Sequence, residues 1–279
     1  MTALGSFKTL PWSSRIAALI LMLFLATALS AAALAPYGLN EIAGDVWEPM
    51  SGAHPFGTDS LGRDMLSRLM HGASITFLVA GCATLLAFLI GTTLGFVASV
   101  AGGFVDQILS RLNDLLMSIP MLVLALVVLA IVPINLVTLV CVMAALDSTR
   151  VFRLARSLSG DLVVMDYVEA ARLRGESLPW IIVHEMLPNA LAPLIAEFAL
   201  RFAFAILFLS ALSFLGLGVQ PPYADWGSLV RENKDGLIFG VPAALIPGMA
   251  IAVLTIAINT IADSMIDQSS RFRREQLDV

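Results

Sequence analysis

The chain has 279 residues, of which 58% are apolar and only 13% charged. Water-soluble domains carry nearer a quarter charged residues, so this composition excludes an ordinary soluble fold and names lipid as the solvent. The formal net charge of −5 decides little, because in a membrane protein the position of each charge matters more than the sum.

Lys8 and Arg15 precede an apolar run over 16–35. A secretory leader has such a start, but a run of roughly 20 residues exceeds the ~7–15 of a leader's core and suits a span. A retained first transmembrane helix is therefore expected. Five further apolar segments follow at 74–101, 115–132, 134–146, 190–218 and 241–262. Each is expected to be helical, because a lone strand in lipid leaves its backbone unpaired. The third and fourth are short for two full spans. Pro133 fits the turn between them, with room for an earlier start of the third near Asp106. The fold class predicted is an all-α membrane protein with six transmembrane helices.

Lys and Arg set the orientation. With a cytoplasmic N-terminus, the inner segments hold Lys8, Arg15, Arg111, Arg150, Arg153, Arg156, Arg172, Arg174, Arg271, Arg273 and Arg274. The outer loops hold Arg63, Arg68, Arg231 and Lys234, and Arg201 falls within a span. Both termini are expected inside. The chain then divides into a cytoplasmic N-terminus (1–15), a first span (16–35), an external loop (36–73), a five-helix core (74–267) with a cytoplasmic loop at 147–188, and a cytoplasmic tail (268–279). Cys82 and Cys141 lie in apolar runs without CxxC spacing, and read as buried, inert thiols.

The inner loop has structure of its own. Residues 161–173 read as a short helix with Val164, Val168 and Ala171 on one side. Glu169 and Arg172 are close enough to pair, and Gly175 can stop the helix. Ser177 can cap a second short helix, with Pro179 in its first turn. Pro188 closes the loop. Small residues at Ala170, Ala171 and Gly175 would let another surface approach; a solvated loop helix is the plainer alternative.

Glu169-Ala170-Ala171, then Gly175, then Leu187-Pro188, resembles the "EAA" loop of permeases in binding-protein-dependent ABC importers. The resemblance implies that this helix docks on an ATPase subunit and couples its motion to the spans. Glu185 departs from the usual pattern before the proline. Two further strings strengthen the resemblance. His54-Pro55-Phe56-Gly57-Thr58-Asp59-Ser60-Leu61-Gly62-Arg63-Asp64 is similar to the "HPxGTDxxGRD" string of the dipeptide, oligopeptide and nickel branch. Residues 212–222, followed by Trp226-Gly227, are similar to the same branch. The likeness covers roughly 17–267. It implies the type I importer permease fold and a multi-pass place in the bacterial cytoplasmic (inner) membrane. It also implies a second permease, two ATPase subunits that bind ATP and Mg, and an extracytoplasmic binding protein. Membrane lipid is the remaining partner; no nucleic acid is expected.

The external motif residues read as turn-formers (Gly57, Gly62) and as polar groups that knit a loop (Thr58, Asp59, Arg63, Asp64). His54 with Asp59 and Asp64 also raises a metal site, but one histidine and two acids on a loop are more often hydrogen-bond partners. Glu197 and Arg201, four apart in a span, read as a structural ion pair, with a role at the pathway or its inner gate as the alternative. Asn259 and Asp263 read as an interface anchor or a contact with the second permease.

No GxxxxGK[ST], HExxH, GxSxG or thiol–histidine pattern occurs, so no catalytic residue and no cofactor is assigned to this chain. The function expected is a permease subunit that forms a path for peptides by alternating access. Nickel, opines, glutathione or peptide-like antibiotics are alternative cargoes. A secondary transporter and an intramembrane enzyme using Glu197, Asp263 or His184 are the rivals.

Overall fold

The computed structural model describes residues 11–277, with side chains as far as Asp267. Lys8 lies outside the described residues, as do the side chains of Arg271, Arg273 and Arg274. The elements are α1 (Trp12–Leu34), α2 (Met65–Ala101), α3 (Gly103–Met117), α4 (Met121–Ile131), α5 (Leu136–Leu162), α6 (Asp166–Leu173), α7 (Leu187–Phe214), α8 (Trp226–Asn233) and α9 (Leu245–Leu277). A π-helical stretch, Ile181–Met186, runs directly into α7. Four segments are long and apolar enough to cross a bilayer: Trp12–Leu34, Met65–Ala101, Leu178–Phe214 and Pro242–Asp267. The pair α3 and α4 also qualifies, but is bent by 85° at Ser118–Pro120. Thus the third apolar segment is not one straight helix. Pro120 breaks it, because a proline has no N–H to offer the preceding turn. An earlier start is realised, at Gly103.

The main boundary correction concerns α5. The fourth apolar segment ends at 146, yet the helix runs on to Leu162. The first sixteen residues of the expected inner loop are therefore helix. Charge ends an apolar run without ending a helix: Arg, Leu and Ala between 147 and 162 are good helix formers. Similarly, α2 begins nine residues before its apolar stretch, capped by Asp64, whose side chain accepts from Ser67 N. Pro188 does not close a loop; it lies where the π-helical stretch passes into α7, and the helix continues through it. The 161–173 helix shortens to Asp166–Leu173 because 161 and 162 belong to α5.

The core is built on close contact between α2 and α5. Along α2 a stripe of small residues is buried: Gly72, Ala80, Ala83, Ala87, Gly91, Gly95 and Ala98. A β-carbon on Gly91 would lie 2.6 Å from the Ser148 carbonyl oxygen, and one on Gly95 2.8 Å from Ala155 Cβ. Gly91 and Gly95 form a GxxxG spacing, which lets two helix backbones touch in lipid, where packing rather than hydrophobicity holds helices together. Cys82 and Cys141 are exposed on the outer faces of α2 and α5, not buried. An uncharged thiol is at ease on such an apolar helix face.

Candidate functional site

Three polar constructions stand out, one at each end of the bundle and one between its helices.

At the end bearing residues 36–64 and α8, Asp59 is fully buried and organises a clasp. Its Oδ1 accepts from the backbone N–H of Leu61 (2.8 Å) and Arg63 (2.9 Å). Its Oδ2 accepts from Arg63 Nε (2.7 Å) and Arg68 Nη1 (2.5 Å). Both arginines also reach Glu232 Oε2 on α8, at 2.5 and 2.6 Å. Two acids thus meet two guanidiniums, so the buried charge is neutralised where it stands. Asn233 Oδ1 receives Ser60 N at 3.0 Å, a second stitch between the motif and α8. His54 Nδ1 pairs with Asp64 Oδ1 at 3.0 Å, while Asp64 Oδ2 receives Ser67 N and Oγ. Thr58 Oγ1 donates to Asp45 O and accepts from Glu48 N. Gly57 and Gly62 hold positive φ at the two turns, and Pro55 lies in the turn between His54 and Gly57. The string is therefore a hydrogen-bonded structural unit, as its residue types suggest. His54 and Asp64 pair with each other, while Asp59 faces arginines.

Behind the clasp, Asp225 caps α8 in a capping box with Ser228. Burial pushes the Asp225 carboxyl up to about 6, against hydrogen bonds from Ser213, Ser228 and Gly227 that lower it. Trp226 is wholly buried; its Nε1 donates to Leu69 O at 2.9 Å, and its ring meets Phe24 edge-on at 5.3 Å.

At the opposite end, α6 packs one face against the bundle and leaves the other exposed. Val168 and Ala171 are buried against Phe96, Val100, Ile181 and Met186. Glu169, Ala170, Arg172 and Leu173 are exposed. Gly175 has φ +79° and is followed by two bonds that close the helix, Gly175 N to Arg172 O (2.9 Å) and Glu176 N to Ala171 O (3.2 Å). That is the expected glycine stop. Other details of the loop differ from expectation. Arg172 donates to Val100 O rather than pairing with Glu169. Val164 precedes the helix and is exposed. The Ser177 side chain makes no capping bond. Glu185 pairs with Arg174 at 3.2 Å, and His184 stacks on Trp180. Within the EAA string, Ala171 is turned into the bundle, so Glu169 and Ala170 are the pair that faces outward. Leu187 is half-buried and Pro188 exposed.

Between the ends, Arg201 Nε donates to Glu197 Oε1 at 2.6 Å, as their spacing implies. Asp147 on α5 approaches the same guanidinium at 3.6 Å. The sequence hid this third member, since Asp147 stands where the apolar run stops. Arg150, one turn further on, lies over the Phe204 ring at 4.8 Å. Asn259 and Asp263 share an exposed face of α9. Among the described residues, nothing in this arrangement brings two reactive groups to a common open cleft.

The sequence pattern of a family described as "Binding-protein-dependent transport system inner membrane component" matches residues 65–275. The chain belongs to that family. It is a multi-pass membrane permease and a transport component rather than an enzyme. The match begins at α2, so α1 stands outside it. The permease is 36% identical over 221 residues to a protein of Brucella suis described as a peptide transport system permease, covering 79% of this chain and 74% of the relative. It is 33% identical over 253 residues to the glutathione transport system permease GsiD of Pectobacterium atrosepticum, covering 90% and 84%. It is 35% identical over 217 residues to the dipeptide transport system permease DppC of Alkalihalophilus pseudofirmus, covering 78% and 71%.

Proposed function

We propose that this permease forms, with a second and distinct permease, the transmembrane path of an ATP-driven importer for peptides. Two ATPase subunits bind on the α6 face and supply the ATP chemistry. An extracytoplasmic binding protein delivers cargo to the clasp end. In this reading the chain crosses the membrane six times, through α1, α2, the bent pair α3–α4, α5, α7 and α9. Both termini and α6 are cytoplasmic. Glu169, Ala170 and Gly175 make the ATPase contact, and Leu187 and Pro188 carry its motion into α7. Asn259 and Asp263, on one exposed face of α9, contact the second permease.

The observation that carries the proposal is α6 itself. It is an eight-residue helix anchored by Val168 and Ala171, with Glu169 and Ala170 presented outward and a glycine stop beyond. Such a piece transmits displacement because it moves as a rigid body. The relatives named for peptide, dipeptide and glutathione transport support the cargo class.

The test is purification of the tagged chain in mild detergent with mass spectrometry of what accompanies it. Two ATPases and a second permease are expected, and the reconstituted complex should take up a dipeptide only with ATP and binding protein. A folded chain recovered alone, transporting without ATP, would overturn the proposal.

A further inference from the structure

The polar group between α5 and α7 has an unequal geometry. Asp147 is buried, its side chain only 7% exposed, and neither carboxylate oxygen accepts a hydrogen bond. A charge so placed is costly unless a partner is at hand. The nearest cation is Arg201 Nη1 at 3.6 Å, an ion-pair distance beyond hydrogen-bond range. That guanidinium is already committed through Nε to Glu197 Oε1, at 2.6 Å. Arg150 faces the Phe204 ring instead. The hollow beside Asp147, about 10 Å³ and lined by Thr84, Met143, Phe204 and Phe208 among others, has room for one water at most. Two carboxylates on different helices therefore share one guanidinium, held closely by one and loosely by the other. Arginine suits such sharing, because its planar fork offers five donors.

The two helices are those that bracket α6. Chain leaves α5 at Leu162, makes α6, and returns through Ile181–Met186 into α7. Thus α6 is joined through the chain to both, and its buried face packs on the stretch that continues into α7. We propose that Arg201 is a two-position latch, held by Glu197 in the conformation described here and passed to Asp147 when α5 and α7 shift during transport. The inference rests on the importer reading and goes beyond it. Closing the gap to a hydrogen bond needs movement of only about 1 Å, within the 1–2 Å helix shifts that accompany such transitions. Glu197 is more exposed than Asp147, at 19% against 7%, so it can be hydrated when released while Asp147 is satisfied. That keeps the two arrangements close in free energy, as a reversible switch requires. Asp147, Glu197 and Arg201 act here as positioning residues.

The test uses the complete complex in nanodiscs, with spin labels at exposed Ser157 on α5 and Leu191 on α7. Asp147→Asn should leave the thermal stability of the nucleotide-free complex at or above wild type, since no hydrogen bond is lost in that state. It should reduce ATP-driven uptake at least tenfold and abolish the distance change on trapping with nucleotide. Asp147→Glu should restore uptake to within about threefold of wild type. Glu197→Gln should move the nucleotide-free distance distribution toward the trapped one. Normal uptake by Asp147→Asn, a loss of stability parallel to its loss of uptake, or an unmoved distribution in Glu197→Gln would overturn the latch. A wild-type complex lacking ATP-dependent uptake is a different result, and would overturn the importer reading together with the latch.

Discussion

Arg68 reaches from the first turn of α2 to Asp59, Nη1 to Oδ2 at 2.5 Å, with both side chains almost wholly buried. This pair fastens the motif loop to the bundle, and Glu232 fastens both to α8. Removing one member strands buried charge. Asp59→Ala should destabilise the folded permease by about 3–5 kcal/mol, read as a fall in thermal unfolding temperature in nanodiscs. Glu232→Ala, at the half-buried rim of the same network, should cost clearly less. Equal losses would mean that burial does not govern the clasp.

Close contact between α2 and α5 makes a second prediction. Gly91→Val and Gly95→Val each force side-chain carbon into the backbone of α5, and overpacking of this kind costs about 1–3 kcal/mol or more per site. Gly160→Val, on α5 with only the Ser99 hydroxyl at 4.0 Å, should cost less than either. Thermal unfolding of the three variants checks the order.

For α6, Gly175→Asp should leave membrane insertion intact and abolish uptake. Nothing lies within 4 Å of a β-carbon at Gly175, so the damage comes from the left-handed backbone, about 1–2 kcal/mol, and from charge added at the docking face. Gly175→Asn tolerates that backbone better and adds no charge, so it should retain much of the uptake. Normal uptake by Gly175→Asp would remove α6 from the ATPase contact.

Asp225 gives a pH dependence with a definite sign. Its folded value of about 6 exceeds the ordinary 3.8, so the fold binds this proton more tightly than the unfolded chain does. The resulting stabilisation is complete below about 3.8 and is lost as pH rises through 6. Asp225→Asn keeps an acceptor for the N-terminus of α8 and removes the titration. The wild-type-minus-variant difference in unfolding temperature should therefore fall between pH 4 and 7. A difference that stays constant would contradict the assignment.

Topology is testable with cysteines. Asp59 is too buried to be a useful reporter, but Leu61 is 57% exposed beside it and Leu173 is 83% exposed on α6. In a background with Cys82 and Cys141 replaced, Leu61→Cys should react with an impermeant maleimide on whole spheroplasts. Leu173→Cys should react only after permeabilisation. The reverse pattern would invert the proposed orientation.

How far the sequence speaks varies by feature, for physical reasons. Spans are legible because lipid demands apolar runs: α1 and α7 lie close to where those runs fall, while α2 starts nine residues early and α9 runs on past its apolar stretch to Leu277. The ends of α2 and α5 are not legible, because hydropathy reports solvent and not helix. Asp147 is hidden for that reason: it marks the end of an apolar run and the middle of a helix. The Glu197–Arg201 pair was readable, since spacing of four within one helix is local. Its link to Asp147 depends on how two helices meet. Gly91 and Gly95 carried a usable signal in their GxxxG spacing, whereas the π-helical stretch before Pro188 carried none beyond the proline itself. Within α6, Val168 and Ala171 fell on one buried side as their spacing indicates, and Val164 did not, because the helix starts after it.

The glycine contact between α2 and α5 has a mechanical consequence. Two helices whose backbones touch at Gly91 and Gly95 cannot slide past one another without collision, so they form a single stiff post. Between α5 and α7 the packing is far sparser. The line along which this molecule can yield therefore runs between α5 and α7, and the groups that bridge that seam, rather than those buried within the post, decide how readily it opens.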